Sequence, residues 1–205
     1  MSTRREISLA ERKRQLVADE LTEAALQLLA LKGFDAVTVD EIVGAAGVSK
    51  RTFFRYFASK EDVVVQFLAD MGTGMCAELA ARPAGERPSE ALRHAVWVPL
   101  GECAGHSDRA LRVVQLILGT PALLARFLER QAQWRDDLAA ELARREGLDA
   151  ETELYPRMAA GMALAAFDAV LQRWSASDGT QGPAGLTDEA FAVIATALDA
   201  GVRRG

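Results

Sequence analysis

Residues 38–62 read TVDEIVGAAGVSKRTFFRYFASKED. Thr38 followed three positions later by Glu41 is a capping box, so a helix starts at Val39. Val39, Ile42, Val43 and Ala46 then point inward from a short helix that Gly47 ends. Ser49 caps a second short helix running through Tyr56, and Ser59-Lys60-Glu61-Asp62 opens a third. Two short helices joined by a tight glycine turn are the build of a helix-turn-helix. On the second helix Val48, Phe53 and Phe57 share one face and are expected to pack inward. Lys50, Arg51, Phe54 and Arg55 share the opposite face.

That outer face suits the major groove of DNA. An arginine fork matches the O6 and N7 acceptors of guanine, and a ring lies well against a thymine methyl. Lys50, Tyr56 and Lys60 are placed for phosphate. Thr38 and Ser59 sit at helix N-termini, where backbone N–H groups favour phosphate oxygens, and Ser49 and Thr52 complete the expected DNA-facing set. Arg4, Arg5, Arg12 and Arg14 precede this unit and are candidates for a minor-groove arm.

Charge distribution agrees. The chain has 205 residues and a net charge of −5, yet between Ile42 and Lys60 it carries Lys50, Arg51, Arg55 and Lys60 and no acid. All its lysines (Lys13, Lys32, Lys50 and Lys60) precede residue 61. A positive patch on an acidic body marks a protein that meets phosphate at one end.

Outward from this stretch the pattern stays helical. Val17, Leu21, Ala24, Leu28 and Leu31 recur at helical spacing, and Gly33 follows as a C-cap. Beyond Lys60 a helix reaches about Ala81, where Pro83, Gly85 and Pro88 break it. Ser89 is expected to restart a helix, Asp108 to cap another, Gly119-Thr120-Pro121 to separate two more, and Gly147 to end a long one. A helix from about Glu151 to Trp174 follows. Ser175–Leu186 reads as a polar loop, and Thr187 as the cap of the last helix. The expectation is an all-α chain of about nine helices. It comprises an arm (1–10), a three-helix DNA-binding domain (11–58) and a second helical domain (59–205).

The run Gly33-Phe34, Thr38-Val39-Asp40-Glu41-Ile42, Ala45-Ala46-Gly47-Val48-Ser49, Thr52-Phe53-Phe54-Arg55-Tyr56-Phe57 and Ser59-Lys60-Glu61 resembles the signature of the TetR family of transcriptional regulators. The likeness covers roughly residues 12–65. Phe54-Arg55 stands where relatives usually carry an aromatic-histidine pair, so operator preference does not transfer. The resemblance implies a homodimer on palindromic operator DNA, a fourth helix that transmits ligand occupancy, and last helices that pair across a two-fold axis. It leaves repression and activation both open. It also implies a pocket, for which Met71, Met75, Trp97, Phe127, Gln131, Trp134, Met158 and Met162 are the bulky, adaptable candidates. The C-terminal half faintly resembles the subgroup with acyl-CoA-like ligands. For the dimer interface the expected residues are Ala163, Ala166, Phe167, Val170 and Trp174 on one helix and Phe191, Ile194 and Leu198 on the last.

Other functions lack a signature. Cys103-Ala-Gly-His106 has metal-ligand spacing, but His94 and Cys76 are the only further histidine and thiol, too few for a second ligand pair. No phosphate-binding loop, dinucleotide fingerprint, nucleophile elbow or zinc-protease motif is present. The expectation is therefore a non-enzyme with no cofactor and no metal. No apolar stretch approaches a membrane span and no signal peptide precedes the first helix, which reads as a cytoplasmic protein without a membrane partner.

Overall fold

Leu9–Lys32 form one long helix, α1, which stops where Gly33 takes the left-handed conformation (φ +85°) and donates its N–H to Leu29 O at 2.9 Å. A residue without Cβ enters that region at no steric cost. The computed structural model describes residues 9–104 and 107–201, and the side chains of all of these except residues 10, 102–104 and 107. Among the described residues there are nine helices and no strand, as the composition predicts. After α1 come α2 (Val39–Ala45), α3 (Lys50–Tyr56), α4 (Lys60–Ala81), α5 (Pro88–Ala104), α6 (Ser107–Gly119), α7 (Pro121–Glu146), α8 (Leu154–Ala176) and α9 (Pro183–Ala200).

The chain divides into two units, Met1–Phe67 and Leu68–Gly205, each with its own core. The division falls inside α4, and Val63 and Val64, fully buried near the start of that helix, lie in the first unit.

In the first unit α1 packs on α2 and α2 on α3. The buried stripe of α1 is Leu21, Ala25, Leu26 and Leu29, so of the expected series Val17, Leu21, Ala24, Leu28 and Leu31 only Leu21 belongs to it; Leu31 is 61% exposed. The run AALQLLAL offers two apolar stripes one residue apart, and docking on α2 selects between them. Of the proposed arm, Arg4 and Arg5 lie outside the described residues, whereas Arg12 and Arg14 are exposed on α1 itself.

In the second unit α8 is central, touching α5, α6, α7 and α9. Its alanines 159, 160, 163 and 166 let neighbouring helices approach, and Phe167, Val170, Leu171 and Trp174 fill the space between them. Trp134 of α7 meets Phe127 and Phe167 edge to face, at centroid distances of 5.9 and 6.2 Å. Arg145 fastens the α4–α5 connection, donating to the carbonyl oxygens of Arg82 (2.9 Å), Pro83 and Glu86 (3.0 Å).

Three expected helix starts are corrected here. Asp108 lies in the first turn of α6, which begins at Ser107, and does not cap it. Ser89 does not cap α5, which begins at Pro88. Instead Asp199 of α9 accepts from Ser89 N at 3.0 Å and from Ser89 Oγ at 2.9 Å, so a remote carboxylate serves the N-terminus of α5. Thr187 does not cap α9. That helix starts a turn earlier with Pro183 at its first position, and Thr187, buried, donates back to Pro183 O at 2.7 Å.

By length and composition α4 and α8 are each apolar enough to cross a membrane, with mean hydropathies of 1.3 and 1.2, against the expectation that no segment comes close. Alanine, leucine and valine carry most of that value. In α8 half of the apolar window is buried inside the chain.

Candidate nucleic-acid interface

The turn between α2 and α3 is built by its glycine. Gly47 sits at φ +65°; its N–H donates to Gly44 O at 3.4 Å, and Val48 N donates to Val43 O at 3.0 Å, a paired closure of the helix end. Ser49 then caps α3 by accepting from Thr52 N at 3.1 Å, while the two hydroxyls lie 2.9 Å apart. At the other end of α2 the capping box is complete. Thr38 Oγ1 accepts from Glu41 N at 3.3 Å and Glu41 Oε2 accepts from Thr38 N at 2.9 Å. Lys32 joins Glu41 at 2.7 Å, and together these donors hold the Glu41 carboxyl down at about 2, Lys32 contributing most.

These contacts fix α3 with its aromatic side inward. Phe53 is completely buried and Phe57 nearly so, their rings 5.6 Å apart. Phe54, one residue from Phe53, is 55% exposed and meets it edge to face. Arg51 and Arg55 are exposed beside it. Arg55 lies 5.0 Å from the Tyr56 ring and donates to the Tyr56 hydroxyl at 3.2 Å, which holds the guanidinium at the surface. Arg51, Phe54 and Arg55 therefore form one outward cationic and aromatic surface.

The remaining expected contacts are already engaged. Lys50 pairs with Asp40 at 2.7 Å across the turn, both side chains largely exposed, which makes this a loose surface pair. Thr38, Ser49 and Thr52 spend their hydroxyls on caps. Lys60 donates to Phe34 O at 2.6 Å and Val37 O at 2.9 Å and sits 4.5 Å from the Phe34 ring, so it staples the α1–α2 connection and keeps one donor of its three. That role was missed because it depends on carbonyls that only folding brings to α4.

Residues 21–67 match the family described as bacterial regulatory proteins, tetR family, and residues 86–199 match the MftR C-terminal domain. The chain is 35% identical over 172 residues to the HTH-type transcriptional regulator TcmR of Streptomyces glaucescens, covering 81% of this chain and 76% of the relative. This chain belongs to the TetR family. A second TetR-type relative, MftR of Mycobacterium tuberculosis, named for mycofactocin biosynthesis, is 31% identical over 92% of this chain and 94% of its own length. Among solved structures, the fatty acid degradation regulator FadR from Bacillus halodurans aligns at 22% identity and TM-score 0.65, over 91% of this chain and 96% of its own. FadR from Bacillus subtilis, solved with stearoyl-CoA, aligns at 21% and 0.65 over 87% and 97%. At that identity the FadR likeness concerns the TetR fold. The chain is thus a DNA-binding transcriptional regulator, the non-enzymatic role for which its relatives are named.

In the second unit the pocket candidates separate. Met75, Phe127 and Trp134 are buried; Met71, Trp97, Gln131 and Met162 are half-buried; Met158 is 60% exposed and does not join them. The residues expected to pair two chains are instead this chain's own core. Ala163, Ala166, Phe167, Val170, Trp174, Phe191 and Leu198 are all buried, and only Ile194 is half-exposed. Their apolar periodicity reports the intrachain packing of α8 on α7 and α9. The exposed apolar side chains nearby are Leu154 (77%), Met158 and Val193 (81%). Cys76 is half-buried, and burial, with the carboxylates of Asp137 and Glu141, pushes its thiol up to about 11. The Cys103 side chain and His106 lie outside the described residues.

Proposed function

We propose that this TetR-family regulator binds a two-fold-symmetric operator as a homodimer and releases it when an apolar effector occupies the second unit. The observation that carries the DNA-binding part is the outward set Arg51, Phe54 and Arg55, standing on a helix whose reverse side, Phe53 and Phe57, is locked in the core. Two such helices about 34–36 Å apart meet successive major grooves. Arginine forks then read bases, with Lys50, Tyr56 and the free donor of Lys60 serving phosphates.

Dimerisation is assigned to the exposed side of α8 and α9. Leu154, Met158 and Val193 are bulky apolar side chains in water, next to the exposed alanines 165 and 197. A two-fold contact must be self-complementary, and an exposed surface of aliphatic side chains and alanines can meet its own copy without burying a charge. The effector reading rests on Met71, Met75, Trp97, Gln131 and Met162, which adapt to irregular apolar ligands. The FadR structure with stearoyl-CoA makes acyl thioesters the first class to try. A protein that acts on operator DNA in this way works in the cytoplasm.

The test is selection of duplexes from a random pool by the purified chain, followed by gel shift. A palindromic consensus, bound with an affinity that falls steeply with salt as several phosphates are neutralised, is expected. Equal, weak binding to every duplex at low salt would refute the reading.

A further inference from the structure

Two buried donors on adjacent turns of α7, Gln131 Nε2 and Trp134 Nε1, have no hydrogen-bond partner. Trp134 is 2% exposed and its ring lies between Phe127 and Phe167, so the N–H stands in apolar surroundings. Leaving such a donor unpaired destabilises the fold, and folded chains rarely keep one without a use for it. Here two lie three residues apart on one helix, close enough for a single small group to meet both. A third, Arg135 Nε, has Asp136 Oδ1 at 3.7 Å and is already neutralised.

What lies against the indole matters as much. A Cβ on Gly72 of α4 would be 2.2 Å from both Trp134 Nε1 and Cδ1, so the nitrogen-bearing edge presses on bare helix backbone. At that point α4 reads Gly72-Thr73-Gly74. Thr73 Oγ1 donates back to Ala69 O at 3.1 Å, an arrangement that bends helices, and glycines weaken them. The helix is softest where the indole leans on it.

We propose that the effector is an apolar molecule bearing an acceptor oxygen, a carbonyl or carboxylate, which takes the N–H groups of Gln131 and Trp134 by wedging between Trp134 and Gly72. This rests on the effector reading above and adds the chemistry and the coupling. The oxygen reaches the indole N–H only after α4 yields at Gly72, so its hydrogen bonds form in the displaced state alone. Because a ligand shifts an equilibrium only by its differential affinity, the polar end of the molecule is the switch and the apolar body supplies general affinity.

The experiment is calorimetry on the full chain with nonan-2-one and with the alkene in which a CH2 group replaces its oxygen, together with thermal melts without ligand. The wild type is expected to bind the ketone at least tenfold more tightly. That ratio is expected to fall toward unity in Trp134→Phe and Gln131→Met, while Gln131→Met, which removes the polar donor at similar volume, melts without ligand at or above the wild-type midpoint. Variants that keep the ratio, or a Gln131→Met chain that melts several degrees lower without ligand, would overturn the inference, since the donor would then serve the ligand-free fold. Equal binding of the two probes by the wild type would also overturn it and leave the apolar-effector reading standing. Binding of neither would remove both.

Discussion

Trp134 Nε1 and Gly72 are in contact only because residue 72 has no side chain: a Cβ there would stand 2.2 Å from the indole nitrogen. The contact brings α7 against α4 beside Gly72-Thr73-Gly74 and leaves the indole N–H without an acceptor.

Gly72→Ala should therefore force the helix or the ring to shift. Overpacking of this kind costs about 1–3 kcal/mol. Thermal unfolding should show a lowered midpoint, partly restored when Trp134→Phe is added in the same chain. Independent, additive effects of the two substitutions would argue against the contact.

Arg51→Ala and Arg55→Ala should each reduce discrimination between operator and unrelated duplex by about 1–3 kcal/mol per lost bidentate base contact. Neither should lower the melting midpoint, because both side chains are exposed. Phe53→Ala should do the reverse, destabilising the unit by about 3–5 kcal/mol through the cavity it leaves. Parallel gel shifts and melts separate the two outcomes; unchanged operator preference in both arginine variants would move the recognition surface elsewhere.

Val193→Glu and Met158→Glu should convert a dimer to monomers in sedimentation experiments at micromolar concentration, because each places a charge in an apolar contact between chains. Operator affinity should fall with them. A dimer that survives both substitutions would place the interface on another surface.

The Glu41 carboxyl is held at about 2, below its ordinary 4.5, by Lys32 and the Thr38 cap. A lowered folded-state value means that the ionised group stabilises the first unit above about pH 4.5, and that this contribution is lost as the pH falls toward 2. Glu41→Gln should accordingly melt below wild type at pH 7, and the gap should close on acidification. A gap independent of pH would mean that charge has no part in it.

Cys76, its thiol raised to about 11, should react slowly with a disulfide reagent at pH 8, since the thiolate is the nucleophile. In a Cys103→Ser background the rate should sit far below that of a free cysteine and rise on denaturation. Fast native-state labelling would reopen a redox role for this residue.

Much of the recognition unit, and the end of α7, was legible in the chain because the signals are local. Thr38 with Glu41, Gly47, Ser49, Gly33 and Gly147 each act within a few residues of themselves, and the structure has each as the spacing predicts. Alternation around α3 likewise separates Phe53 and Phe57 from Phe54 and the arginines, since seven residues of helix admit one inward face.

Local pattern could not say which of several apolar faces meets which neighbour. In α8 the stripe from Ala163 to Trp174 reads by itself as a dimer seam, and tertiary packing made it core, leaving Leu154 and Met158 outside. The same holds for Lys60 on the carbonyls of Phe34 and Val37, for Asp199 at the start of α5, and for the orphaned donors over Gly72. The caps at Gly33, Thr38, Gly47, Ser49 and Gly147 are set by near neighbours along the backbone, so the sequence alone determined them. Partners far apart in the chain meet only when whole helices dock, so the tertiary structure alone decided those.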